Sequence, residues 1–248
     1  MRTWAARVFY VGGYYVSWGW FAVVALALNA ACVPLLLLPG RPRIGVHVRR
    51  VIRLLFDLWR RWLHMCWVVR VTWRGFDRPL TAGTVYVANH PTLADATFIL
   101  SRLPDAICVM KPSLMRNPVI APAAIMAGYV SSGKGVDAVR DAAARVSAGM
   151  SLLIFPEGTR TLGATLGPMT HGFLLSAERA RAPVELIVIK ASPGLVPRGS
   201  PWWRLPSVLP ASMIITLDRR WEWDPGRSSA DLVLEIEGRM RAVLESTR

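Results

Sequence analysis

The first quarter of the chain carries its longest apolar stretch. Between Arg7 and Arg41, 33 residues follow one another without a formal charge, whereas a helix that spans a bilayer needs about 20 apolar residues. No small-residue cleavage site followed by a polar mature chain ends the stretch, so we expect it to be retained and not removed as a signal peptide. A buried core helix is the other explanation of such a segment.

The next segment, residues 46–69, has the periodicity of an amphipathic helix. The apolar side comprises Val51, Leu55, Leu58, Trp62, Met65 and Val69, and the opposite stripe comprises Arg49, Arg50, Arg53, Asp57, Arg60, Arg61 and His64. Such a helix can lie at a membrane interface, which Trp59, Trp62 and Trp67 favour, or it can cover the sheet of a soluble domain. Two arrangements of these apolar segments are compatible with the sequence. One is a helical hairpin within one leaflet, and the other is a spanning helix followed by a helix on the membrane surface.

From residue 68 onward, short β-branched apolar runs alternate with helical patterns. This alternation predicts an α/β fold with a mixed, largely parallel sheet flanked by helices. The predicted strands are residues 68–73, 84–88, 106–111, 128–131, 151–155, 184–189 and 212–217, and the predicted helices are residues 93–103, 118–127, 136–148, 172–182 and 229–246. We therefore expect membrane-anchoring helices at residues 1–67 and one α/β domain at residues 68–248.

Charge and composition indicate the kind of partner. The formal net charge is +14, and 53% of the residues are hydrophobic. A strongly basic chain favours an anionic partner, which can be nucleic acid, a lipid surface or a phosphorylated substrate. The high apolar content favours the lipid and argues against nucleic acid. Arginine supplies 27 of the 30 basic residues, and its planar fork binds phosphate in a bidentate manner.

The distribution of arginine predicts an orientation in the membrane. Arg41, Arg43, Arg49, Arg50 and Arg53 follow the apolar stretch, whereas Arg2 and Arg7 precede it. Because Lys and Arg concentrate on the cytoplasmic side, we expect the domain after the apolar stretch to face the cytoplasm. The membrane that we expect is a bacterial inner membrane. The three cysteines lack a CxxC spacing, which predicts neither a metal site nor a disulfide framework and agrees with a reducing compartment.

The first candidate motif follows the strand predicted at residues 84–88. His90 comes directly after this strand, Pro91 favours an extended turn, and Thr92 can cap the following helix. Asp95 falls in the first turn of that helix, where its carboxylate can contact one imidazole nitrogen and fix the tautomer. The other nitrogen is then free to accept a proton, which is the arrangement of a general base. Taken alone, a His followed by an Asp at this spacing is a weak signal.

The second motif follows the strand predicted at residues 151–155. Gly158 permits a close backbone approach to an anion, Thr159 offers a hydroxyl, and Arg160 offers a fork of donors. Because the carboxyl ends of the strands in an open α/β sheet line the ligand crevice, we expect both motifs to face one site. An ordinary polar turn is the alternative for this segment by itself.

The two motifs together resemble the glycerolipid acyltransferase family, whose best-known members are the lysophosphatidic acid (1-acylglycerol-3-phosphate) acyltransferases. The resemblance rests on Asn89-His90 with Asp95, followed by Phe155-Pro156-Glu157-Gly158-Thr159-Arg160. Supporting segments are Met110-Lys111, Met115–Pro118, Gly128–Lys134, Gly172, Ala177 and Pro183-Val184. The likeness covers roughly residues 68 to 190.

This resemblance implies a glycerol-phosphate acyltransferase-like fold and direct acyl transfer. His90 would deprotonate the acceptor hydroxyl, which attacks an acyl thioester without a covalent acyl-enzyme, and Asp95 would hold the imidazole. The implied substrate-binding residues are Lys111, Lys134, Glu157, Gly158, Thr159 and Arg160. The donor is acyl-CoA or acyl carrier protein, and no cofactor or metal is implied.

The expected acceptor is a lysophospholipid from the bilayer, most directly 1-acylglycerol-3-phosphate, which would give phosphatidic acid. Two departures from the family pattern concern recognition of the acceptor's phosphate. Lysine stands at 134 where arginine is usual, and Leu186 beside Glu185 replaces a usual proline. Another hydroxyl-bearing lipid, such as a lyso-aminolipid, is therefore an alternative acceptor. A non-enzymatic binder of anionic lipid is the alternative from another class, and a metal-dependent hydrolase lacks further His or Asp ligands.

Overall fold

A seven-stranded sheet forms the centre of the protein in the computed structural model, which describes residues 4–161, 166–192 and 194–246. The strands are β1 (Val69–Arg74), β2 (Val85–Ala88), β3 (Ala106–Met110), β4 (Val130–Ser131), β5 (Ser151–Ile154), β6 (Val184–Ser192) and β7 (Ala211–Trp221). Their order is β1-β7-β6-β2-β5-β3-β4. Of the neighbouring strands, β6 and β7 are antiparallel and the other pairs are parallel, which confirms the predicted mixed, largely parallel sheet.

The central strands are apolar on both faces because helices cover the sheet on both sides. Every residue of β2 and β5 is buried. Helices α3 (Asp95–Leu100), α4 (Pro112–Met115), α5 (Ala121–Ala127), α6 (Val136–Ser147), α7 (Gly172–Ala180) and α8 (Ser229–Glu245) connect or follow the strands. A short 3₁₀ helix, Ser132–Lys134, follows β4, and neither it nor α4 was predicted.

Two long helices precede the sheet, α1 (Trp4–Leu35) and α2 (Arg41–Met65). Within α1, Val8–Leu35 is long and apolar enough to cross a membrane, and 22% of its most apolar window is buried within the protein. This helix contributes Tyr14 to the core beneath the sheet. The predicted orientation in the membrane also used Arg2 and Arg7. Arg2 and the side chain of Arg7 lie outside the described residues.

Helix α2 packs on the sheet through a face one position away from the predicted apolar stripe. Its buried side chains include Val48, Ile52, Trp59 and Leu63. Much of the predicted stripe is exposed instead, with Leu58 at 44% and Met65 at 61% relative exposure. Trp59 does not lie at an interface, since it is 1% exposed and its Nε1 donates to the carbonyl of Ser17. Helix α2 therefore has two apolar surfaces. One packs against the protein, and the other, which includes Leu58 and Met65, is exposed.

One side of the sheet is covered by the N-terminal helices and the other by the C-terminal ones. Trp59 of α2 and Phe98 of α3 pack with Tyr86 of β2 in one cluster. Phe173 of α7 and Ile236 of α8 pack with Val87 in the other. The division of the chain at residue 67 stays a prediction, and in the structure the helices before it share a core with the sheet.

Candidate active site

The two sequence motifs leave the sheet side by side. β2 and β5 are adjacent and parallel, with Val87 opposite Ile154. His90 follows the end of β2 and Phe155 follows the end of β5, so both emerge at the carboxyl edge, where open α/β sheets bind ligands. Asn89 holds the first motif to β6: its side-chain amide donates to the carbonyl of Ile189 at 2.9 Å and accepts from the same residue's N–H at 2.7 Å. This anchoring role of Asn89 was not foreseen from the sequence.

His90 and Asp95 form a hydrogen-bonded pair. The Nδ1 of His90 lies 2.9 Å from the Oδ2 of Asp95, and the aspartate side chain is fully buried. Thr92 completes this carboxylate's set of donors: its N–H donates to Oδ2 at 2.6 Å and its hydroxyl to Oδ1 at 2.5 Å. Thr92 therefore does not cap the helix through its own side chain as predicted, because the carboxylate of Asp95 holds the turn together.

The carboxylate also determines the tautomer of the imidazole. An ionised carboxylate only accepts hydrogen bonds, so the Nδ1 of His90 carries the proton and donates it to Asp95. Nε2 is then an acceptor, and within the described part of the chain no hydrogen bond involves it. The ring stacks on Phe155 with centroids 4.2 Å apart and planes 22° from parallel. The imidazole is thereby fixed in position, and its side chain keeps 19% exposure.

Glu157 joins the two motifs from inside the protein. Its Oε1 accepts hydrogen bonds from the N–H of His90 at 3.3 Å and from the hydroxyl of Thr161 at 2.6 Å, and its Oε2 accepts from the N–H of Gly167 at 3.0 Å. Thr161 adds a main-chain bond, since its N–H donates to the carbonyl of His90 at 2.7 Å. Both oxygens of Glu157 thus bind protein donors, and the sequence did not single out Thr161, the partner of Oε1.

Arg160 is held by the backbone of a distant loop. Its Nη1 donates to the carbonyls of Val196 at 3.0 Å and Pro197 at 3.1 Å. The Val196 carbonyl also accepts from the N–H of Leu93, and Val196 has a φ of +56°, which is uncommon for a β-branched residue. Gly158, at φ +62°, closes the preceding turn through its N–H to the carbonyl of Phe155. Among the residues that the structure describes, no hydrogen bond involves Nε or Nη2 of Arg160.

The two lysines of the predicted set are placed differently. Lys111 directly follows β3, the strand beside β5, and is exposed at the same edge of the sheet as the two motifs. Lys134 lies beyond β4 at the border of the sheet, where its Nζ is 3.3 Å from the Oδ2 of Asp141 and its side chain is 59% exposed. The structure bonds His90 to Asp95 through its ring and to Glu157 through its backbone N–H, whereas Lys134 pairs with Asp141.

The unexpected Glu185 lies away from these motifs, near the amino end of β6. It is buried and forms ion pairs with Arg78 at 2.6 Å and Arg220 at 3.8 Å. Burial raises the pKa of Glu185 in spite of both arginines, and burial beside Glu185 raises the pKa of Tyr86 to about 12. This departure from the family pattern therefore belongs to a buried polar cluster at the opposite end of the strands.

An apolar cavity of about 180 Å³ lies between α1, α2 and α5. Its walls include Phe21, Leu28, Phe56 and Tyr129, and Met110 at the end of β3 closes one part of it. Because Lys111 follows Met110, the cavity approaches the carboxyl edge of the sheet. Its lining carries almost no polar surface, which suits a hydrocarbon chain.

The family model described as Acyltransferase matches residues 70–190, which contain both motifs and the strands that position them. Residues 70–190 therefore form an acyltransferase-family domain. The chloroplastic 1-acyl-sn-glycerol-3-phosphate acyltransferase of Brassica napus is 28% identical over 198 residues, which are 73% of this chain and 55% of that protein. The corresponding chloroplastic enzyme of Arabidopsis thaliana is 26% identical over 200 residues, 73% of this chain and 54% of that protein.

The fold of this chain is also that of a solved acyltransferase structure. The crystal structure of the 1-acyl-sn-glycerophosphate acyltransferase PlsC from Thermotoga maritima superposes with a TM-score of 0.72, covering 95% of this chain and 93% of that one at 19% identity. The likeness includes α1 and α2, since it extends over nearly the whole chain. The chain spans about half the length of the curated plant relatives it matches.

Proposed function

We propose that this protein is a membrane-associated O-acyltransferase that transfers a fatty acyl group from acyl-CoA or acyl carrier protein to 1-acylglycerol-3-phosphate, giving phosphatidic acid. The observation that carries the proposal is the pair formed by His90 and the fully buried Asp95 at the carboxyl edge of the sheet, beside the motif of Arg160. The names of the plant relatives agree with this substrate.

His90 is the general base of the proposed reaction. Its Nε2 takes the proton of the acceptor hydroxyl while the hydroxyl oxygen attacks the thioester carbonyl carbon. The carbon–sulfur bond then breaks, and the imidazolium returns the proton to the leaving thiolate. Asp95 stabilises the charge that the ring acquires in the first step, because its carboxylate lies 2.9 Å from Nδ1.

The acceptor phosphate binds at the second motif. Arg160 holds its guanidinium in place through Nη1, so Nε and Nη2 can form charge-assisted hydrogen bonds with phosphate oxygens. Gly158 and Thr159 line the turn beside it, and Lys111 adds positive charge from the neighbouring strand. Glu157 acts as a positioning residue, because its two oxygens bind the backbones and hydroxyl that join the motifs.

The acyl chain of the donor occupies the apolar cavity, which opens between α1, α2 and α5. The long apolar segment Val8–Leu35 and the exposed apolar edge of α2 associate with the bilayer from which the acceptor comes. In this arrangement the domain lies on the cytoplasmic face of a bacterial inner membrane, where the thioester donors are available.

A purified His90→Ala variant tests the base. General acid–base catalysis contributes about 10² to 10⁴ in rate, so we expect kcat to fall by at least about 10² with unchanged folding. His171→Ala is the matched control, because His171 is an exposed imidazole outside the site. The assay is thiol release from acyl-CoA in the presence of 1-acylglycerol-3-phosphate. Near-normal turnover by the His90 variant would exclude the proposed mechanism.

A second acceptor class is favoured by the environment of Lys134. This residue pairs with Asp141 at the border of the sheet. Arg160 therefore contributes more to phosphate binding than it would if Lys134 also contacted the phosphate. Expression in a host that lacks its own lysophosphatidic acid acyltransferase, followed by lipid mass spectrometry, separates the acceptors. Restored phosphatidic acid supports the first acceptor, a new acylated lipid without rescue supports another, and no acyl transfer to any lysolipid supports a non-enzymatic lipid binder.

A further inference from the structure

A basic cavity lies at the opposite end of the sheet from the candidate active site. It has a volume of about 330 Å³ and lies between α2, the segment after α3 and the beginning of β3. Its lining includes Arg49, Arg50, Arg53, Leu103 and Asp105. β3 runs for five residues between this cavity and the carboxyl edge of the sheet, which is about 16 Å of extended chain. β3 therefore separates this cavity from the edge of the sheet that carries His90, while Ile52 and Tyr129 line both this cavity and the apolar one.

One of the three arginines is neutralised within the protein. Arg49 is buried and forms a bidentate ion pair with Asp105, at 2.6 Å from Nε to Oδ1 and 3.0 Å from Nη2 to Oδ2. Its Nη1 donates to the carbonyl of Ala127 at 3.0 Å. The sequence placed Arg49 on the exposed stripe of α2, and the structure corrects this, because α5 and Asp105 cover it. Arg49 thus forms a fixed wall of the cavity.

Arg50 and Arg53 also line the cavity, and neither forms an ion pair with an acidic residue in the described part of the chain. Arg53 donates from Nε to the carbonyl of Ser101 at 3.4 Å, and no hydrogen bond or ion pair links Arg50 to any described residue. They are three residues apart on α2 and are therefore neighbours on its surface, where like charges repel. Since Asp105 balances Arg49, the lining has an excess of two positive charges.

We propose that this cavity binds a phosphate ester, with Arg50 and Arg53 holding the phosphate oxygens. Two guanidinium groups on one side of a small cavity match the charge and geometry of phosphate. The apolar side chains of Ile52, Leu100 and Leu103 line the same cavity and suit the organic part of an ester. The phosphate comes from the headgroup of an anionic phospholipid or from a soluble phosphate compound, and both would bind through the same two arginines.

The binding experiment compares two double variants of the full-length protein. Arg50→Gln with Arg53→Gln removes both partner groups, and Arg41→Gln with Arg43→Gln removes the same charge from exposed positions of the same helix outside the cavity. Binding is measured to inorganic phosphate by calorimetry, and to phosphatidylcholine vesicles with and without phosphatidylglycerol by flotation. We expect the first variant to lose at least about tenfold in affinity and the second to bind like wild type, because hydrogen bonds to charged groups dominate such sites.

The two probes identify the source of the phosphate. If the Arg50/Arg53 variant alone loses affinity for inorganic phosphate, the ligand is a soluble phosphate compound. If this selective loss is seen only with phosphatidylglycerol vesicles, the ligand is a lipid headgroup. Equal losses in both variants would mean diffuse surface attraction and would overturn the proposal, as would wild-type binding by the Arg50/Arg53 variant or no binding to either probe. Circular dichroism controls for folding, and in phosphate-free buffer the Arg50/Arg53 variant should melt no lower than wild type, since it loses a repulsive pair.

Discussion

Replacing Asp95 by Asn isolates the charge of the carboxylate from its hydrogen bonds. The side-chain carbonyl of the introduced amide, in the place of Oδ2, can accept from His90 and from the N–H of Thr92, while the NH₂ group donates to the Thr92 hydroxyl. All three contacts of the wild-type carboxylate then persist with neutral partners. The fold and the tautomer are retained, and what is lost is the negative charge beside the ring.

The magnitude of the loss follows from the distance. With Nδ1 and Oδ2 2.9 Å apart, the centres of the two charges lie about 4 Å from each other, and two unit charges at about 4 Å interact by about 4 kcal/mol at an effective dielectric constant of about 20. A full proton transfer in the transition state would then lose about 10³ in rate, and a half transfer about 30-fold. We expect kcat of Asp95→Asn to fall within this range, with little change in KM for the acceptor.

Asp95→Ala is the comparison that separates charge from structure. It removes every acceptor at this point and leaves the buried N–H of Thr92 unpaired, at a cost of about 1–3 kcal/mol. For a chain of this size each kcal/mol lowers Tm by about 2–4 °C, so calorimetry should show a drop for Ala that is absent for Asn. The electrostatic reasoning is refuted if Asp95→Asn turns over within about threefold of wild type, or if it melts as low as Asp95→Ala.

Two further outcomes follow from the contacts of single side chains. Arg160→Lys keeps the charge but carries all its donors on one nitrogen, so it loses the arrangement in which Nη1 bonds the Val196 carbonyl while other nitrogens bind phosphate. KM for 1-acylglycerol-3-phosphate should therefore rise by about tenfold or more while kcat changes less. An unchanged KM in steady-state kinetics would contradict this. Because burial raises the pKa of Glu185, its contribution to stability is present below its ordinary pKa and is lost as pH rises through the raised value. Glu185→Gln should therefore flatten the dependence of the denaturant midpoint on pH in that window, and an unaltered slope would contradict the reasoning.

Much of the sheet could be predicted from local patterns. The seven predicted strands correspond to β1–β7, and the main differences are at their ends, as in β7, which extends to Trp221. The central strands β2 and β5 are short apolar runs buried on both faces, and β7 alternates between buried and more exposed residues. Both patterns can be recognised from a few consecutive residues. Both motifs could be placed at strand ends for the same reason, since a strand followed by Pro, Gly or Asn has a local signal.

The sequence by itself predicted the seven strands and most of the longer helices, and it placed both motifs at strand ends, where their roles as base and anion clamp stay predictions. Only the tertiary structure decided that Trp59 is in the core, that Arg49 pairs with Asp105, and that the Val196 backbone holds Arg160. These contacts join positions many residues apart, and they depend on the rotation and docking of α2 and of the loop after β6. Periodicity gives the faces of a helix but not which face meets its neighbours, because packing against the whole sheet settles that choice.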